Sequence, residues 1–135
     1  MKDWAFTTSV EEMEAATNSL LETAQKVGAD TWQQRAKNQN PHCGFGGMFY
    51  NWMYSDNPKP YGSYGNGAAM RVSACGFVAS SIEEAKKLSR CVTEVTHNHP
   101  EGVKGAESVA AAICLARGGR SKEEIRDYIT GEFGC

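Results

Sequence analysis

The chain has 135 residues, 41% of them hydrophobic, with 14 basic and 16 acidic side chains and a net charge of −2. That length suits one domain with a real core and is short for two. A near-neutral balance with scattered basic residues argues against binding a nucleic-acid backbone, and no window approaches the ~20 apolar residues of a membrane span.

Periodicity predicts an all-α chain of about six helices, with no strand-period segment competing. Ser9-Val10-Glu11-Glu12 has capping-box spacing. Met13, Ala16, Leu20, Leu21, Ala24 and Val27 then recur at helical intervals, and Gly28 is the expected stop. Asp30 is placed to cap a short second helix holding Trp32. Residues 38–44 read as a loop that contains His42. Phe45, Met48, Phe49, Trp52 and Met53 follow on one helical face and read as core before ligand box. Residues 55–66 are rich in Pro, Gly, Asn and Ser, so regular structure is not expected there, and an irregular stretch of that length suggests function. Residues 67–79 look like a helix of small side chains suited to close packing.

Ser81-Ile82-Glu83-Glu84 is a second capping box, ahead of Ile82, Ala85, Leu88, Val92 and Val95 at helical spacing. The run 96–100 breaks that pattern. A long helix is expected from about Glu101 to Arg117, with Val103, Ala106, Val109, Ala110, Ile113 and Cys114 inward and Gly118-Gly119 ending it. Ser121-Lys122-Glu123-Glu124 is a third capping box, leading Ile125, Tyr128, Ile129 and Phe133.

Cys43, Cys75, Cys91, Cys114 and Cys135 are odd in number and show no C-x-x-C or Cys/His metal spacing. They read as free thiols in a reducing compartment, with Cys75 and Cys91 packing rather than reacting. Residues 1–8 lack the apolar run of a secretory signal, so a cytoplasmic protein is expected. Met1 and three capped helices point to a chain that folds independently rather than to a gene fragment.

Two constellations can carry chemistry. Residues 62–71 read Gly-Ser-Tyr-Gly-Asn-Gly-Ala-Ala-Met-Arg. Without Cβ atoms, the backbone N–H groups of such a loop can approach an anion. The helix start that follows adds unpaired donors, and Tyr64 can stack on a base beside the anion. The structural alternative is a tight turn before a closely packed helix. Ser63 has no base or acid near it in sequence to activate it. The second constellation, Thr96-His97-Asn98-His99-Pro100, admits three readings: a metal pair lacking a third ligand, a capped turn with Pro100 at the first helical position, or His97 pointing into a ligand site beside the glycine loop.

Gly-Phe-Gly-Gly-Met-Phe (44–49), the run 62–72 and Thr-His-Asn-His-Pro-Glu-Gly-Val-Lys-Gly-Ala-Glu (96–107) occur in that order. Together they resemble the ADP-ribosylglycohydrolase family, which includes dinitrogenase-reductase-activating glycohydrolase, over roughly residues 42–133. The resemblance implies an all-α fold and an ADP-ribose cleft. It implies that Ser63, Gly65, Asn66 and Gly67 hold diphosphate and ribose, that Tyr64 stacks near adenine, and that His97 lines the cleft. Gly44, Gly46, Gly47 and Met48 resemble the glycine loop of the opposite wall.

The family's hydrolases use two magnesium ions, bound by an N-terminal Thr-Asp-Asp-Thr and a C-terminal Asp-x-Asp-Thr/Ser segment. Neither motif is present. Phe6-Thr7-Thr8-Ser9-Val10 resembles the first with hydroxyls in place of both carboxylates, and Asp56 and Glu107 are single and scattered. Magnesium needs hard oxygen ligands, mainly carboxylates. The expectation is therefore no metal, no cofactor and binding without turnover: a sequestering protein for ADP-ribose or a related NAD-derived signal, such as a phage counter-defence sponge. The alternative is a divergent hydrolase of ADP-ribose linkages. Family segments missing from the chain would leave apolar faces exposed, and such faces mark interfaces, so a homo-oligomer is expected.

Overall fold

The computed structural model describes residues 33–34, 36–38 and 44–134. The helix expected over 9–28, the Asp30 cap with Trp32, the loop residue His42, and Cys43 and Cys135 lie outside the described residues. Residues 33–34 and 36–38 are helical. Six helices follow: α1 (Gly47–Met53), α2 (Gly67–Arg71), α3 (Ser73–Val78), α4 (Ile82–Thr93), α5 (Pro100–Arg117) and α6 (Lys122–Phe133). No strand occurs among the described residues, and no helix there is long and apolar enough to cross a membrane.

Helix α5 is the centre, packed against α2, α3, α4 and α6. The main core joins Ala68, Val72, Cys75 and Ala79 to Ala85 and Leu88 of α4 and to Ala106, Ala110 and Cys114 of α5. Small side chains let these backbones approach closely. A Cβ on Gly76 would lie 2.6 Å from the Ala110 carbonyl oxygen and 2.7 Å from Ile113 Cβ, so only glycine fits where α3 crosses α5. Cys75, Cys91 and Cys114 are free thiols. Burial pushes the thiols of Cys75 and Cys91 up, which fits packing rather than nucleophilic duty.

A second cluster of Ala36, Trp52 and Met53, with Phe45, Phe49, Tyr61 and Val95 against it, forms around α1. Gln33 ties into it, its side-chain amide donating to the carbonyls of Trp52 at 2.7 Å and Ser55 at 2.9 Å.

The elements follow the periodicity with three departures. The single helix expected over 67–79 is two, because the chain turns at Val72 (φ −91°, ψ 4°). That turn keeps Val72 fully buried and aims Gly76 at α5. Met48, expected on the inward face of α1, is 56% exposed. Val95 lies past the end of α4 and packs into the α1 cluster instead.

The caps are largely as read. Ser121 and Glu124 form a full reciprocal box at α6. At α4 the Ser81 hydroxyl accepts from Glu84 N–H, but the Glu84 carboxylate reaches the N–H of Ser80 at 2.9 Å rather than that of Ser81. Helix α6 ends on left-handed Gly134 and is tied to α4 by Lys86–Glu132 at 2.7 Å.

Candidate ligand-binding hollow

A hollow of about 560 Å³ opens between α1 and α2. One wall is Gly44, Gly46, Gly47 and Met48, and the other is Ser63, Gly65, Asn66 and Gly67, with His97 between them. Three stretches far apart in sequence are thus brought together. Tyr64 is outside the lining. Its ring is 73% exposed and rests on the imidazole of His99, centroids 5.0 Å apart.

The 96–100 run divides its two histidines between two tasks. His99 caps α5, its Nδ1 accepting from Glu101 N–H at 3.2 Å, with Pro100 in the first turn. His97 is buried at 4% exposure and backs the glycine loop, where a Cβ on Gly67 would sit 3.6 Å from its Cε1 and Nε2. Burial first, then the Arg71 charge, push the His97 imidazole below its ordinary value, opposed by a hydrogen bond to the Gly65 backbone. The ring is therefore neutral at pH 7. Gly102 lets α5 press on the loop: a Cβ there would meet the Ser63 carbonyl oxygen at 2.6 Å and Tyr64 Cα at 3.2 Å.

The sequence predicts positive potential at a helix N-terminus. Helix α2 has only five residues, so few peptide dipoles add up there. The positive charge comes from Arg71, which lines the hollow and was absent from the expected site. Its guanidinium donates to the Thr96 hydroxyl and, at 3.4 Å, to the Thr93 carbonyl. Burial pushes Arg71 down from its ordinary value, yet a guanidinium keeps its proton. Phe45, Phe49, Tyr61 and Met70 also line the hollow, so the aromatic segment serves both core and site. The signal for Met70 and Arg71 was present in the sequence, since residues three and four after Gly67 share its helical face. Ser63 Oγ accepts from Gly65 N–H at 3.3 Å, a turn-stabilising role.

Among the described residues, no carboxylate lines the hollow. Glu107 is buried but spent on Arg90, its Oε1 accepting at 2.6 and 2.9 Å. No group of three His, Cys, Asp or Glu side chains suited to a metal occurs among the described residues. The donors described here do not fit magnesium.

The ADP-ribosylglycohydrolase family model matches residues 4–132. The chain belongs to the ADP-ribosylglycohydrolase family. Curated relatives include ADP-ribosylhydrolase ARH3 of Homo sapiens, 41% identical over 63 residues, which are 47% of this chain and 17% of that protein. The Mus musculus protein of the same name is 41% identical over 73 residues, 53% of this chain and 20% of its own. The Gallus gallus one is 40% identical over 63 residues, 47% and 17% respectively. The match thus spans about a fifth or less of the length of these relatives. No solved structure matches the chain. The family match begins earlier than the three motifs and takes in residues 6–10.

Proposed function

We propose that the chain binds an ADP-ribose unit in the hollow and releases it uncut. The diphosphate lies against residues 62–67, the ribose lies between the two glycine walls, and adenine lies toward Tyr64. One observation carries this reading: two glycine-rich walls, an arginine and a neutral histidine converge on one hollow whose described lining holds no carboxylate. Such a lining favours an anion. The volume of about 560 Å³ is within the roughly 300–1,000 Å³ of small-molecule sites. Release without cleavage is supported by the resemblance of Phe6-Thr7-Thr8-Ser9-Val10 to the family's first metal segment, a resemblance that puts hydroxyls in place of both carboxylates. A protein of this kind sequesters an NAD-derived signal, the role a phage counter-defence protein needs.

A second reading, hydrolysis of an ADP-ribose linkage, is favoured by the name of the relatives, ADP-ribosylhydrolase. Calorimetry with ADP-ribose and its cyclic and conjugated forms tests the binding, and absence of heat at high micromolar ligand overturns it. Chromatography of ligand recovered after denaturation separates the readings. Unchanged ligand supports sequestration; magnesium-dependent release of ADP-ribose from a conjugate supports hydrolysis.

A homo-oligomer fits the exposed apolar side chains of α3, where Phe77 and Val78 are 61% and 65% exposed. Apolar exposure of this kind marks interfaces. Sedimentation equilibrium checks it: Phe77→Glu shifts the mass toward monomer, and a monomeric wild type refutes it.

A further inference from the structure

Building on the ADP-ribose reading, with adenine toward Tyr64, we propose that the His99 imidazole positions the Tyr64 ring as the platform on which the base stacks. The backbone of residues 61–67 runs beside residues 96–102 and is fixed there at several points. Tyr61 N–H donates to the Thr96 carbonyl at 3.0 Å. A Cβ on Gly62 would lie 3.7 Å from Asn98 Oδ1, and one on Gly102 would lie 3.2 Å from Tyr64 Cα. The Tyr64 backbone is thus set against the first turn of α5, while its side chain stays 73% exposed. Among the described residues, the ring packed against it is the His99 imidazole, with centroids 5.0 Å apart and planes at 51°.

His99 is itself held firmly. Its carbonyl accepts from the N–H groups of Gly102 and Val103 at 2.9 and 3.1 Å, and its Nδ1 accepts from Glu101 N–H at 3.2 Å. A proline restricts the residue before it to extended backbone, and His99, ahead of Pro100, has φ −75° and ψ 133°. Capping alone does not call for an imidazole. Helices α4 and α6 are capped by Ser81 and Ser121, and short oxygen-bearing side chains are preferred at this position. What histidine adds is a ring, and that ring meets Tyr64.

The consequence is a pre-set rotamer. An exposed tyrosine hops among staggered rotamers, and a base stacks only on the one that faces it. An aromatic contact biases that population by about two- to tenfold. Apparent affinity scales with the fraction of molecules already in the competent state, so ADP-ribose binding gains by up to the same factor. Most of the Tyr64 ring stays open to the base. His99 is therefore a positioning residue that acts through Tyr64.

The test uses the full chain and calorimetry with ADP-ribose. His99→Asn keeps a capping oxygen and removes the ring; it is expected to retain Tm and to bind about two- to tenfold more weakly. His99→Phe keeps a ring and removes the cap; it is expected to retain affinity and to lose about 4 °C of Tm. In a Tyr64→Ala background, His99→Asn is expected to change affinity no further. Wild-type affinity in His99→Asn overturns the proposal, as does an undiminished effect of that change without Tyr64, or a His99→Phe protein as weak as His99→Asn. A ligand-free measurement separates the seating from the function: nuclear Overhauser effects between the Tyr64 and His99 rings are expected in the wild type, and their absence overturns the proposal. Failure of the wild type to bind ADP-ribose counts against the function alone, and the ring-to-ring effects still decide whether His99 seats Tyr64.

Discussion

Replacing Gly102 by alanine isolates the contact that shapes the hollow. The new Cβ would lie 2.6 Å from the Ser63 carbonyl oxygen, where ordinary contact begins at 3.4 Å. Either α5 or the loop must retreat by about 0.8 Å, the difference between those distances. The loop is the softer partner, because α5 is held on four sides. Overpacking of this kind costs about 1–3 kcal/mol, while alanine in a helix regains up to about 1 kcal/mol over glycine. The net loss of stability is zero to about 2 kcal/mol, or a fall in Tm of up to roughly 8 °C for a chain of this size. Ligand affinity should suffer more. One charge-assisted hydrogen bond to a phosphate is worth about 1.5–3 kcal/mol, so a retreating loop weakens ADP-ribose binding at least about tenfold.

Gly105, one turn further along α5, supplies the control, because a Cβ there meets nothing within 4 Å. Gly105→Ala should stabilise by up to about 1 kcal/mol and leave affinity unchanged. Thermal unfolding and calorimetry on both variants decide the matter. If Gly102→Ala behaves like Gly105→Ala, gaining stability and keeping affinity, the packing argument for the hollow is wrong.

Tyr64→Ala should cost about 1–3 kcal/mol of ADP-ribose affinity, as for a base stacked on an aromatic, with little change in Tm because the ring is 73% exposed; unchanged affinity would remove adenine from that position. His97 contributes a pH term: its folded value is depressed by burial and Arg71, so the unfolded chain takes up the proton first. That stability is complete above about pH 6.5 and declines as pH falls through the folded value; denaturant titrations of His97→Gln should show a shallower loss just below pH 6.5 than wild type. Arg90→Ala leaves the Glu107 carboxylate, 9% exposed, without its ion-pair partner, at a cost of about 2 kcal/mol by analogy with hydrogen bonds to charged groups. Adding Glu107→Gln should recover most of that loss, and a double mutant as unstable as the single one would show that the pair is not the cause.

Helix type and approximate bounds were legible because burial imposes a 3.6-residue period and because Ser81, Ser121 and Pro100 mark starts by their own hydrogen-bonding chemistry. The glycine-rich stretches that wall the hollow were legible as motifs, since glycines at such close spacing stand out in the sequence itself. What no local pattern could supply was direction. The break at Val72, the outward turn of Met48 and the division of labour between His97 and His99 depend on which neighbour arrives from elsewhere in the chain. Glu107 read as a scattered acid until Arg90 of α4 was placed beside it. Arg71 reads as the tail of a motif until Thr96, in the turn after α4, is placed against its guanidinium. Periodicity and composition act over a few residues and so declare elements and candidate ligand loops. Charge, burial and close approach depend on distances across the core, and only the tertiary structure brings those groups together.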